Sequence, residues 1–277
     1  MACEEAGYPV PHIDLTTARG LADAVWGEAV GDALGVPFEG LARDSFTCTD
    51  MVGKGRHQRP AGTWSDDTAM TIATCDSIKT CGRVDTYDLR LRFESWMLTG
   101  AYTVDGCFSV GRTTRAALTS GHGLRGEWDN GNGSLMRICP LAFCDASDDD
   151  VRDVSGITHA HHVSYETCVD FVHLLREAAR DSVALWERLA LEQGGRPRRR
   201  VRSTGFVRDT FDAALWSVGT TRSYRECVLA AVNLGGDSDS TAAVAGALAG
   251  VIYGAATIPA AWMDRLRGKG TIEECLF

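Results

Sequence analysis

Two short segments gather carboxylates and hydroxyls where helices should begin: Gly62-Thr63-Trp64-Ser65-Asp66-Asp67-Thr68 and Leu234-Gly235-Gly236-Asp237-Ser238-Asp239-Ser240-Thr241. One Asp or Ser at a helix start is explained by capping and by the helix dipole. Two adjacent or alternate Asp in both places exceed what capping needs. Four carboxylates in one site repel unless cations neutralise them, and hard oxygen donors suit Mg2+, Mn2+ or Ca2+ and not zinc. Asp237 and Asp239, on one side of an extended turn, could chelate together, and the two segments hold enough oxygens for two ions. A third segment, Asn130-Gly131-Asn132-Gly133-Ser134-Leu135-Met136-Arg137, supplies main-chain donors that a ligand can approach closely. A helix starting at Ser134 would turn its free N–H groups toward a pyrophosphate. A fourth, residues 31–39, ends a helix with Gly and Pro and presents Glu39.

These segments need helices to hold them. Leu21, Ala24, Val25, Val30, Ala33 and Leu34 recur at helical spacing and predict a helix over 19–34, with Thr16 or Thr17 as its N-cap. Further helices are expected over 67–81, 85–98, 109–118, from 147 onward, over 164–191 as the longest periodic segment, and over 204–218, 224–234 and 240–253. Residues 35–62 and 119–133 read as loops. Sustained β-type alternation is absent, so the expected fold is all-α: a single compact multi-helix domain over 1–277, with residues 1–16 irregular. Asp32 reads as a buried carboxylate bonded to backbone, and His161 and His162 as loop or capping residues. Trp26, Trp96, Trp186, Trp216 and Trp262 read as core and Trp64 as a wall of the site. Arg137 reads as a brace for its loop or for a carboxylate.

The 28 basic and 37 acidic side chains leave a net charge of −9, which argues against general nucleic-acid binding. Asp outnumbers Glu by 24 to 13, a bias toward caps, turns or ligands. The first 25 residues show no basic start followed by an apolar stretch, so no signal peptide is expected, and the Ala/Gly-rich run over 241–258 suits a buried helix better than a membrane span. Ten cysteines include no C-x-x-C pair, which predicts free thiols in a reducing cytoplasm. The arginine-rich stretch over 194–202 is a solvated loop or, more sharply, a cationic lip for phosphates or an acidic partner.

Together the motifs GDALGVPFE (31–39), GTWSDDTAM (62–70), NGNGSLMR (130–137) and LGGDSDST (234–241), with THAHH (158–162) and GALAGVIYG (246–254), resemble the ADP-ribosylglycohydrolase family in order and spacing over nearly the whole chain. The resemblance implies an all-α fold around two Mg2+ or Mn2+ ions and cleavage at C1 of the distal ribose of ADP-ribose. Carried over by motif, Ser65, Asp66, Asp67, Asp237, Asp239 and Ser240 are the implied metal ligands. Asp66 and Glu39 are the implied proton-handling carboxylates, Glu39 matching a mobile glutamate that closes over the metals in some members. Gly131, Asn132, Gly133, Ser134 and His159 match the ADP-ribose cradle, and Phe206 a nucleoside contact. Ser65 and Ser240 stand where many relatives have Thr, which keeps the hydroxyl and loses the methyl that restricts χ1. The implied partner is an ADP-ribosylated protein, arginine-linked by preference, or an ADP-ribose-bearing small molecule; serine linkage, a non-catalytic ADP-ribose binder and a metal-dependent phosphohydrolase are the alternatives. A monomer with no membrane and no nucleic-acid partner is expected.

Overall fold

The computed structural model describes Pro11, Ile13 and residues 17–277, and every regular element among them is helical. In chain order these are α1 (Leu21–Gly35), α2 (Asp66–Cys81), α3 (Thr86–Thr99), α4 (Arg112–Ser120), α5 (Asp148–Gly156), α6 (His162–Arg180), α7 (Ser182–Gln193), α8 (Val207–Gly219), α9 (Tyr224–Val232), α10 (Ser238–Tyr253), α11 (Ala260–Arg265) and α12 (Lys269–Cys275). Short 3-10 turns join several of them, and extended pairing is limited to isolated bridges such as Gly131 with Phe206. The expected irregular segment over 1–16 lies, apart from Pro11 and Ile13, outside the described residues, as does Cys3. The nine described cysteines are free thiols. No helix among the described residues is long and apolar enough to cross a membrane.

α1 and α10 form the centre, and they meet main chain on main chain. Gly27, Gly31 and Gly35 recur every four residues and so share one face of α1. A Cβ on Gly31 would lie 2.1 Å from the Ala242 carbonyl oxygen, and one on Gly27 2.2 Å from that of Gly246. Gly246 and Gly250 make the reciprocal approach to the Gly27 and Asp23 carbonyls. Nothing larger than hydrogen fits along this seam, so the run over 241–258, read as a buried helix, is the partner of α1. The remaining helices bury an apolar core around the pair, with Trp96, Trp186, Phe93 and Phe171 fully enclosed.

Several boundaries differ from expectation. α1 is capped by Gly20, not Thr17, and the Asp23 carboxylate accepts the Gly20 N–H at 3.0 Å. The segment over 164–191 is two helices. Asp181 ends α6 by donating its N–H to the Glu177 carbonyl, and caps α7 by accepting the Ala184 N–H at 3.0 Å. Trp64 is not a site wall: it is buried, and its indole donates to the Arg267 carbonyl at 2.9 Å beneath the C-terminal helices. Trp26 is only half-buried, unlike the other four core tryptophans. In the arginine-rich stretch Arg198 pairs with Asp44 and Arg202 with Asp209, while Arg43 donates to the carbonyls of Arg198, Val201 and Leu234, tying that loop to the second acidic segment.

Candidate active site

The acidic segments converge because the α1–α10 seam brings the end of one helix against the start of the other. A Cβ on Gly35, the last residue of α1, would lie 2.4 Å from the Asp239 Cα. Asp32, one turn earlier, is fully buried and holds the start of α2. It accepts the Ser65 N–H at 2.9 Å, the Thr68 N–H at 3.1 Å and the Thr68 hydroxyl at 2.6 Å. This is the expected structural carboxylate. Burial pushes its pKa up to about 6 against the pull of those hydrogen bonds. Gly235 and Gly236, at φ +71° and +69°, turn the chain into α10 with left-handed backbone that glycine adopts freely. Gly236 also accepts the Gly40 N–H at 2.8 Å and donates to the Leu41 carbonyl at 2.8 Å, which sets the loop carrying Glu39 beside Asp237.

Asp237 is the N-cap of α10 and Asp239 lies in its first turn, a helix start and not the extended turn expected. Ser65 caps α2, and its hydroxyl donates to Asp67 Oδ2 at 3.1 Å; the Ser240 hydroxyl reaches the same oxygen at 3.4 Å. Asp67 Oδ1 and Asp239 Oδ1 are buried with no hydrogen-bond partner. Burial is the largest cause raising the pKa of Asp66, Asp67, Asp237 and Asp239. Repulsion from neighbouring carboxylates adds to it, Asp32 chiefly acting on Asp66 and Asp67, Asp237 on Asp239, and Glu39 on Asp237. Two buried, unpartnered carboxylate oxygens in such a cluster are what a divalent cation would satisfy, and oxygen donors alone suit a hard cation. Among the described residues no three His, Cys, Asp or Glu side chains already stand in ligating geometry.

A cleft of 470 Å3 opens over this cluster. Its wall includes Glu39, Asp66, Asp237, Asp239 and Ser240 on one side and Gly131, Asn132, Gly133 and His159 on the other. Ser65 and Asp67 lie beneath the wall. The glycine-rich loop is pinned to both sides. Asn132 donates its side-chain amide to Asp237 Oδ2 at 2.7 Å and to the Thr210 hydroxyl at 2.9 Å, and its N–H to the Gly205 carbonyl at 3.0 Å. Gly133 is required by its neighbours: a Cβ there would lie 2.8 Å from His159 Cε1. Ser134 does not reach the cleft. Its hydroxyl is buried and accepts from Ser155 at 2.9 Å, and the expected helix at this point is a single 3-10 turn, Leu135–Arg137. Phe206 caps α8 beside the loop, bridging Gly131, and stands outside the cleft wall.

His159 is neutral in this site. Burial, reinforced by the Arg137 guanidinium, lowers its pKa to about 3. Arg137 donates to the Thr158 hydroxyl at 2.8 Å, and that hydroxyl sits 2.8 Å from His159 Nδ1. His159 Nε2 lies on the edge of the ring facing Gly131 and Gly133. Arg137 itself is fully buried, stacked 4.3 Å over Phe93 and bonded to the Gly133 carbonyl at 3.1 Å, so it braces the loop and touches no carboxylate. His161 caps α6 through Nδ1, as a capping reading requires.

Three residues given no site role in the sequence reading belong to this picture: His57 and Ser109, both against Glu39, and Thr158, which contacts His159 Nδ1. Only Thr158 carried a local signal, its place beside His159.

The family profile described as ADP-ribosylglycohydrolase matches residues 15–276. The chain is 33% identical over 291 residues to ADP-ribosylarginine hydrolase Tri1 of Pseudomonas putida (strain GB-1), covering 95% of this chain and 78% of that protein. It is 29% identical to the ADP-ribosyl-(dinitrogen reductase) glycohydrolase of Rhodospirillum rubrum, covering 89% of this chain and 90% of that one. A solved structure described as an ADP-ribosylglycohydrolase-related protein complex superposes with a TM-score of 0.77 at 34% identity, over 92% of this chain and 94% of the other. With the four motifs gathered at one cleft, the chain belongs to the ADP-ribosylglycohydrolase family.

Proposed function

We propose that the protein is a metal-dependent hydrolase that removes ADP-ribose from arginine side chains, breaking the bond between C1 of the distal ribose and the guanidine nitrogen. The reading rests on one observation above the others: in a chain 33% identical to an ADP-ribosylarginine hydrolase, the acidic and glycine-rich segments meet in one cleft, as unpartnered buried carboxylates on one wall and a glycine loop with a neutral histidine on the other. Ser65, Asp66, Asp67, Asp237, Asp239 and Ser240 would hold two Mg2+ or Mn2+ ions. Once bound, the ions would grip the ribose diol and lower the pKa of the attacking water.

The rest falls to the chain. Gly131 and Gly133 let the pyrophosphate approach the main chain, and His159 Nε2 faces it without adding charge. Asn132, fixed by Thr210, keeps that loop in register with Asp237. As the C1–N bond breaks, positive charge grows on the sugar, and the acidic wall stabilises it. Water supplies hydroxide to C1 and a proton to the departing guanidine, and Asp66 and Glu39, two of the carboxylates on the cleft wall, carry that proton between them. One domain over the whole chain, acting as a monomer in the cytoplasm, completes the proposal.

The test is release of free ADP-ribose from peptides ADP-ribosylated on arginine or on serine, with chelator, Mg2+ or Mn2+. Release from arginine only when a cation is present is expected. Release from serine alone would move the acceptor, and tight binding of ADP-ribose without release in any condition would make the protein a binder.

A further inference from the structure

Glu39 stands at the cleft mouth in a field that opposes it, because Asp66, Asp237 and Asp239 all lie close enough to repel it. An unrestrained carboxylate there would swing to solvent. Two side chains from separate loops prevent this. His57 Nε2 makes a short contact with Glu39 Oε2, and the Ser109 hydroxyl donates to the same oxygen at 3.1 Å. Arg56, largely exposed, approaches the other oxygen only to 4.0 Å.

Both donors are themselves held. The turn carrying His57 is closed by the Lys54–Arg59 bridge and sits directly on the residues before Glu39: a Cβ on Gly55 would lie 2.1 Å from the Pro37 carbonyl oxygen. The His57 ring leans on Phe108 at 5.1 Å, and Arg59 covers that ring at 4.5 Å. Ser109 lies on the cleft wall and adopts φ +59°, a left-handed conformation that is strained for a non-glycine residue. Glycine would relieve the strain there and would remove the hydroxyl that reaches Glu39.

We propose that His57 and Ser109 are positioning residues that clamp the Glu39 carboxylate over the cleft so that it can serve the reaction. The proposal rests on the reading of Glu39 as a proton-handling group in ADP-ribose hydrolysis. The clamp acts through Glu39, so its loss should alter kcat and leave ligand binding as it is.

The test is a double-mutant cycle on the cation-loaded enzyme with an arginine-ADP-ribosylated peptide. His57→Ala and Ser109→Gly should each lower kcat about tenfold, with KM and the calorimetric Kd for free ADP-ribose within about twofold of wild type. His57→Gln, which keeps a donor, should recover most of the loss, and guards against a misfolded alanine variant. In a Glu39→Gln background, itself strongly impaired, His57→Ala should cost nothing further, and a crystal structure of His57→Ala should show Glu39 turned out of the cleft. If His57→Ala cost the same factor with and without Glu39, the clamp would be wrong while the role of Glu39 stood. If Glu39→Gln had wild-type kcat, the role of Glu39 and the clamp would both fall.

Discussion

Asp239→Asn should make the cation-free protein more stable and the cation-loaded protein less so. In the native state Asp239 is buried, its Oδ1 has no partner, and burial with repulsion from Asp237, Asp67 and Glu39 raises its pKa. A buried unsatisfied polar atom costs about 1–3 kcal/mol, more when charged. An amide keeps the volume, removes the repulsion and adds donors. Against this stands the loss of an acidic group in the first turn of α10, about 0.3–1 kcal/mol. The net gain is about 1–2 kcal/mol, or roughly 2–8 °C in Tm for a protein of this size. Wild type in cation at about a hundred times its Kd gains about 2.7 kcal/mol, and the variant should lose most of that gain. The assay is thermal unfolding at neutral pH of both proteins in chelator and in Mg2+ or Mn2+. Tm values that cross, variant above wild type in chelator and below it in cation, are expected. A variant less stable than wild type in chelator, yet equally stabilised by cation, would refute the view that these carboxylates are gathered against their mutual repulsion for a cation.

Gly31→Ala should lower Tm although alanine favours an exposed helix by about 1 kcal/mol, because its Cβ meets the Ala242 carbonyl; overpacking of this kind costs about 1–3 kcal/mol. Gly156→Ala, at the end of α5 with nothing within 4 Å of the new Cβ, is the control, and equal Tm changes in the two would count against a main-chain seam. His159→Gln should flatten the acid limb of the stability profile. With the folded pKa at about 3 and the ordinary value at 6.5, the unfolded chain binds the extra proton between those limits, so stability is lost as pH falls through that window, by at most about 5 kcal/mol. Urea midpoints at pH 4 and pH 7.5 measure this, and identical pH slopes in variant and wild type would place His159 in water.

Much of the site was legible because its segments combine residue types that local structure does not require. Paired Asp at two helix starts, glycines alternating with Asn, and a Gly-Pro helix end before Glu39 all asked for a reason beyond folding. Asp32 could be read as structural because a carboxylate inside an apolar periodic helix needs backbone donors. What escaped depended on contacts distant in sequence or on single residues that do two jobs. Asp181 breaks the long helix without Gly or Pro, so apolar periodicity runs through it undisturbed. Trp64 borders the first acidic segment in sequence and yet faces Arg267, 203 residues away. His57 showed nothing because its partner, Glu39, lies 18 residues back across a loop. Ser134 sat in the right motif and points the wrong way, which only the packing of Ser155 and Cys168 against it decides.

The seam between α1 and α10 also separates two kinds of change this protein can accept. The acidic wall is built on helix ends whose spacing is set by backbone atoms in contact, so little in it can drift one residue at a time. The opposite lip is made of loops, residues 121–133 and 201–206, joined to one another by the Gly131–Phe206 bridge and a few hydrogen bonds. Those loops can lengthen or change side chains while the frame stays as it is. Outside the Gly131–Gly133 turn, which Asn132 ties to Asp237, changes in the lip should therefore leave the acidic wall as it is.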